Sequence, residues 1–166
     1  MAAPRAPRLI LVCGLPGSGK TTLACRLEAT LAAIRFSPDD WLKALDISIY
    51  AEGKRAKVES LQWELAQQLL TRGQIVVIEW GTWGRSERDA LRVRARALGA
   101  AVELRYLHAP IDVLFERIQK RALEDPPIER AALGRWSQQF QVPTAEELAL
   151  FDEPLEFEPP DLTSAP

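Results

Sequence analysis

Residues 14–22 read Gly-Leu-Pro-Gly-Ser-Gly-Lys-Thr-Thr, which completes the phosphate-loop pattern G-x-x-x-x-G-K-[ST]. An apolar run, Leu9 to Cys13, lies directly before it and a helical pattern directly after, the context that pattern requires. Gly14, Gly17 and Gly19 permit positive φ, so the backbone of Gly14, Leu15, Pro16, Gly17, Ser18 and Gly19 can turn its N–H groups inward as an anion nest. Lys20 reaches the β- and γ-phosphates, and Thr21 offers a hydroxyl to Mg²⁺. Thr22 extends a helix whose positive end faces the phosphates. A bland glycine turn needs neither the lysine nor the paired threonines. The reading is a nucleoside triphosphate site for ATP and Mg²⁺.

Three further groups could act on a bound triphosphate. Glu79 closes the apolar run Ile75-Val76-Val77-Ile78, the pattern of an acid that supports Mg²⁺ beside a phosphate loop. Asp39 and Asp40 follow a short strand, at the sheet edge where open α/β folds bind ligands. One of the two can serve chemistry while the other favours the start of a helix. Arg117 and Arg121 stand four apart on a helix whose opposite face carries Ile111, Leu114, Phe115 and Ile118, and Asp125-Pro126-Pro127 breaks that helix. A guanidinium pair beside a breakable segment is one way a lid brings positive charge to a phosphoryl group, although such spacing is also common on solvated helix faces. Trp41, Trp80, Trp83 and Trp136 read either as core or as the apolar wall of an acceptor pocket. His108 reads as a packed or capping histidine.

The elements that must position these groups alternate. Strands are expected at Arg8–Cys13, Ile34–Ser37, Ile75–Glu79 and Ala101–Leu107, with helices between them at Lys20–Ala33, Gly53–Arg72 and from Ser86 to about Gly99. Val58, Leu61, Leu65 and Leu69 form the expected buried stripe of the second helix. Ser86-Glu87-Arg88-Asp89 reads as a capping box after a loop over Trp80–Arg85. Further helices follow around Ile111–Ile118 and Ile128–Phe140, and Thr144-Ala-Glu-Glu147 caps a last short one. Alternation of this kind gives an α/β fold, a parallel sheet with helices on both faces.

Composition bounds the rest. At 166 residues, with 47% apolar and 27% charged positions, the chain makes one globular domain with a real core. Residues 152–166 carry five acids, Pro154, Pro159, Pro160 and Pro166, and no Lys or Arg. They read as a loosely packed acidic tail, and since the net charge is −2 their five acids leave residues 1–151 at +3. That is enough to favour a nucleotide and short of the basic stripe expected for nucleic acid. No apolar run reaches the length of a membrane span and no signal-peptide core is present. Cys13 and Cys25 read as structural, and the expected setting is a reducing cytoplasm. No [NT]-K-x-D guanine signature occurs, and nothing signals an oligomeric state.

Together these residues resemble the P-loop small kinases grouped around the polynucleotide 5′-kinase domain, chloramphenicol phosphotransferase and zeta-type toxins, especially the bacterial "AAA-type ATP-binding" kinases of that group. The likeness runs from about Leu9 to Phe151. It rests on the phosphate loop, on Ser37-Pro38-Asp39-Asp40-Trp41, on Trp83-Gly84-Arg85-Ser86-Glu87-Arg88 and on Ala109-Pro110 through Arg121. It implies a three-layer P-loop NTPase fold over residues 1–151, with a helical lid at about 117–136. It also implies Asp39 as the base on an acceptor hydroxyl and Arg117 and Arg121 as the lid arginines. Two departures bear on the acceptor. Leu42, followed by Lys43, stands where polynucleotide kinases place a basic residue, and Glu79 replaces the commoner Asp. They turn the expectation to an ATP-dependent kinase of a small hydroxyl compound, with a polynucleotide 5′-kinase and an acceptor-free ATPase as the alternatives.

Overall fold

The computed structural model describes residues 6–156. Four parallel strands, β1 (Arg8–Cys13), β2 (Ile34–Phe36), β3 (Ile75–Gly81) and β4 (Ala101–Tyr106), form one sheet in the order β2-β3-β1-β4. The helices are α1 (Lys20–Leu31), α2 (Pro38–Ala44), α3 (Glu52–Thr71), α4 (Arg85–Ala97), α5 (Ile111–Arg121), α6 (Arg130–Gln139) and α7 (Ala145–Leu148).

Leu9 to Cys13 are fully buried because β1 is central and covered on both faces. Alternate side chains serve opposite layers. Leu9, Leu11 and Cys13 join Val76, Ile78, Ala66 and Leu70 of α3, and Leu91 and Ala95 of α4. Ile10 and Val12 join Val77 with Ala24, Leu27 and Leu31 of α1. The three layers expected from the alternation are therefore present. A separate cluster, with Leu114, Ile118, Ile128 and Leu133, holds α5 and α6 together beside the sheet.

Several local expectations are corrected. The buried stripe of α3 is Val58, Gln62, Ala66 and Leu70, while Leu61 and Leu65 are exposed and Leu69 is only partly buried. Gln62 explains the phase: its amide donates to the Ser37 carbonyl at 3.1 Å and its oxygen accepts from the Trp80 indole at 2.8 Å, so a polar residue occupies a core position. No Ser86 capping box forms. Helix α4 starts one residue earlier behind Gly84, and the Arg85 N–H is met by the Gln141 side chain at 2.7 Å. Strand β3 continues through Trp80 and Gly81 rather than ending at Glu79. Thr144 does cap α7, accepting from the Glu147 N–H. Cys13 is buried, with its thiol pushed up to about 11 by burial, whereas Cys25 is exposed and has no core role.

The first residues of the tail are packed, not loose. Asp152 exchanges two hydrogen bonds with the Val102 backbone, and the Leu155 N–H donates to Glu103 at 2.9 Å. Glu103 is fully buried and also holds Arg8 at 2.5 Å and Arg105 at 2.8 Å, so the segment seals the β4 edge. Residues 157–166, with the tail acids Glu158 and Asp161, lie outside the described residues.

The phase of α3 is directly testable. Leu70→Ala should cost about 2–5 kcal/mol in urea denaturation, and Leu61→Ala should stay within about 0.5 kcal/mol of the parent. Equal losses would restore the original stripe.

Candidate active site

The phosphate loop owes its path to close backbone approach. A Cβ at Gly14, where φ is +150°, would sit 2.5 Å from the Leu107 carbonyl oxygen, and one at Gly17 would sit 2.7 Å from that of Leu114. Only glycine fits either place. The Gly14 N–H donates to the Gly81 carbonyl at 3.4 Å, tying the loop to the end of β3. The N-terminus of α1 follows at Lys20, with Gly19 as its left-handed cap.

Beyond the loop lies a cavity of about 570 Å³ that brings together Lys20, Thr21, Asp39, Glu79 and Arg121. Lys20 Nζ donates to the Leu15 carbonyl at 3.0 Å. Burial lowers its pKa to about 8, against the pull of Glu79 and Asp39 towards higher values. Glu79 is buried near the end of β3, with the Thr21 side chain beside it. Burial raises its pKa, and Thr21 and Arg35 oppose that rise. Among the described residues no group of three or more His, Cys, Asp or Glu could hold a metal alone. A hydroxyl and a carboxylate side by side at a phosphate loop nevertheless fit Mg²⁺ that takes its remaining ligands from phosphate oxygens and water.

The two adjacent aspartates diverge. Ser37 caps α2 by accepting from the Asp40 N–H, and Pro38 opens the helix. Asp39 lines the cavity and pairs with Arg55 of α3. Asp40 is not among the lining residues and instead meets Arg35 at 2.7 Å. Arg35, on β2, also pairs with Glu79 and lies 3.2 Å from Glu28.

The other predicted residues separate in the same way. Arg121 lines the cavity and pairs with Glu124, whereas Arg117 donates to the Gly17 carbonyl at 3.3 Å and holds the loop from outside. Trp80, Trp83 and Trp136 line the cavity, the last two with ring centroids 6.0 Å apart. Trp41 packs edge-on against Phe36 in the core. His108 is exposed, with its ring beside Tyr106.

Sequence reading missed the arginines that organise the site. Arg88 is fully buried, makes a two-pronged pair with Glu147 at 2.6 and 2.9 Å, and donates to the carbonyls of Thr82, Trp83 and Gln141. It thereby fixes the chain that leaves β3. An arginine between Ile34 and Phe36 in a strand was the one available signal for Arg35. Arg55 had none, because its partner lies 16 residues away. Tyr50 was missed as well: its hydroxyl donates to the Pro126 carbonyl at 2.7 Å, joining the segment after α2 to the segment after α5.

A protein-family model described as an AAA domain matches residues 9–143. The chain belongs to that family. An uncharacterised protein of Mycobacterium tuberculosis is 33% identical over 130 residues, covering 69% of this chain and 26% of that protein. An uncharacterised protein of Mycobacterium bovis matches to the same extent, so the chain spans about a quarter of the length of these curated relatives. Among solved structures, a gluconokinase of Sinorhizobium meliloti superposes with a TM-score of 0.60 at 21% identity, over 86% of this chain and 79% of that one. A chain of the Pnkp1/Rnl/Hen1 RNA repair complex gives 0.69 at 23%, over 99% and 53%. The Mycobacterium tuberculosis APS kinase CysC, in complex with AMPPNP and APS, gives 0.58 at 20%, over 72% of each chain. The AAA domain described here thus has the P-loop kinase-like α/β fold. Among its described residues no helix is long and apolar enough to cross a membrane.

The lowered pKa of Lys20 sets a proton linkage. Between about pH 8 and 10.5 the unfolded chain holds a proton that the folded one lacks, so this residue makes stability rise with pH there. Bound phosphates restore the charge on Lys20. Nucleotide binding near pH 9 should therefore take up close to one proton, measured calorimetrically in buffers of different ionisation enthalpy. Lys20→Met should abolish the uptake, and uptake that survives the substitution would place the titrating group elsewhere.

Proposed function

We propose that this domain is an ATP-dependent, Mg²⁺-requiring phosphotransferase acting on a hydroxyl of a small molecule. The observation that carries the reading is the convergence of Lys20, Thr21, Glu79, Asp39 and Arg121 on one cavity at the carboxyl edge of the sheet. The loop N–H groups and Lys20 bind the β- and γ-phosphates, and Thr21 and Glu79 hold Mg²⁺. When bound, Mg²⁺ supplies neutralisation of phosphate charge. Asp39 accepts the proton of the acceptor hydroxyl. The acceptor oxygen forms its bond to the γ-phosphorus as the bridging oxygen bond breaks, and ADP leaves with that electron pair. Arg121 offsets charge on the transferring group, and Arg117 holds the loop through Gly17. Residues 117–136 act as the lid.

The fold likeness to the RNA repair chain and the tryptophans in the cavity support a polynucleotide 5′-kinase as the second reading, since aromatic rings also stack bases. The modest +3 charge of residues 1–151 and Leu42 favour the small molecule. The deciding measurement is γ-³²P transfer to 5′-hydroxyl DNA and RNA oligonucleotides beside a panel of sugars, nucleosides and amino alcohols. Efficient labelling of an oligonucleotide would sink the small-molecule reading, and ATP hydrolysis without any labelled product would favour an acceptor-free ATPase.

Asp39→Asn and Asp40→Asn should separate the two acids. An aligned base is worth about 10²–10⁴ in rate. Asp39→Asn should lose transfer by that order and keep ATP binding, whereas Asp40→Asn should stay within about tenfold of the parent because only the Arg35 pair is lost. The reverse pattern would move the base to Asp40.

A further inference from the structure

Strand β2 reads Ile34-Arg35-Phe36, and its one charged residue is placed by register. Arg35 stands opposite Val77 in the parallel pairing of β2 with β3. Side chains two apart on a strand share a face, so Glu79 follows Val77 on the side of the sheet that α1 covers. On α1, Glu28 lies seven residues after Thr21, two turns along the same side of the helix. Register and helix phase thus gather Arg35, Glu79, Thr21 and Glu28 in the layer between the sheet and α1.

Every arm of Arg35 ends on a carboxylate. Nη1 donates to Glu79 Oε1, Nη2 to Asp40 at 2.7 Å and Nε to Glu28 at 3.2 Å. The three acids come from β3, α2 and α1. Two are well solvated, with the Asp40 and Glu28 side chains 56% and 44% exposed, whereas that of Glu79 is 2% exposed. Arg35 does not line the cavity, while Glu79 and Thr21 do. A guanidinium so committed meets no phosphate unless it abandons its acids, so its route into the site is Glu79. An untethered carboxylate presents either oxygen and loses that freedom when a metal fixes it. The bond to Oε1 removes the freedom beforehand.

We propose that Arg35 is the positioning residue of the Mg²⁺ site. It fixes Glu79 by Oε1, so that one carboxylate oxygen remains for the ion or its water beside Thr21. Asp40 and Glu28 fix the guanidinium in turn. The inference rests on the assignment of Thr21 and Glu79 to Mg²⁺ in the proposed function.

The test needs no acceptor. A fluorescent, non-hydrolysable ATP analogue is titrated with Mg²⁺ and again with EDTA, and the ratio of the two affinities reports the metal site. The parent should bind about tenfold or more tightly with Mg²⁺. Arg35→Met should lose most of that gain, with its affinity in EDTA within about twofold of the parent. Excess Mg²⁺ should restore the gain, a rescue that a damaged fold would not show. Arg35→Lys should recover part of it, because an ammonium keeps the charge but not the three-way fork. Asp40→Asn combined with Glu28→Gln changes exposed groups alone and should lower the gain about threefold, which keeps the inference testable if Arg35→Met does not fold. An undiminished gain in Arg35→Met or, failing its folding, in the double variant overturns the inference. So does an equal loss of binding in EDTA, or a parent indifferent to Mg²⁺. A gain that depends on Arg35 in a protein that transfers phosphate to no acceptor supports the inference and removes the kinase reading. Transfer with the gain intact in Arg35→Met does the reverse.

Discussion

The site depends on one irregularity in the pairing of β1 with β3. The two strands run in register from Arg8 opposite Ile75 to Leu11 opposite Ile78, and then Cys13 stands opposite Gly81. Strand β3 thus spends one extra residue over Glu79 and Trp80. A regular strand sends consecutive side chains to opposite faces, whereas a bulge turns one of them aside. Here Glu79 and Trp80 both line the cavity, the first against Thr21 and the second against Gln62. The same bulge brings the Gly81 carbonyl within reach of the Gly14 N–H, so the phosphate loop and the acid opposite it are set by a single local distortion. Without it, the carboxylate and the indole could not share one chamber.

Around that frame, arginines supply the fixed charge. Arg35 gathers Glu28, Asp40 and Glu79 from three elements; Arg55 gathers Asp39 and Glu59; Arg88 gathers Glu147 and three carbonyls. The planar, permanently charged guanidinium suits this because it can donate in several directions at once. Arg88 differs from the others in being fully buried with its partner. Loss of either member leaves an uncompensated charge in the core, a cost of about 3–5 kcal/mol, although the pair itself is weak support for stability. It also holds Thr82, with φ of 41°, and Trp83 where they line the cavity.

What could be read from the sequence was what is local. The apolar run of β1, the glycines and lysine of the loop, and the strand–helix alternation each follow from neighbours along the chain. The failures share a cause in distance along the sequence. The α4 terminus is capped by Gln141, 56 residues away, so Ser86 has no capping work to do. Gln62 claims a core position because Ser37 and Trp80 need its amide, and periodicity of apolar residues alone therefore chose Leu61. The tail looked unstructured because its acids and prolines have no local partners, yet Asp152 and Leu155 complete an open strand edge. Spacing alone gave Asp39 and Asp40 the same standing, because what separates them is their partners Arg55 and Arg35 on other elements.

The same logic bears on how the proposed lid is coupled to the phosphate loop. The α5–α6 cluster has its own apolar centre, and Leu15 of the phosphate loop packs against both that cluster and the sheet core. Gly17 lies under the Leu114 carbonyl, and Arg117 grips the Gly17 carbonyl from the same helix. Every one of these contacts passes through the loop that holds the phosphates. Across the mouth, the bond from Tyr50 to Pro126 ties the segment after α5 to the segment between α2 and α3, the helices that carry Asp39 and Arg55. Under the proposed function, a change in the loop on phosphate binding would reach α5 directly. Arg121 closes α5, and the Tyr50–Pro126 bond lies just beyond that same end. The phosphate loop and α5 are thus joined by packing as well as by proximity, the coupling that the proposed lid would need in order to close over a filled site.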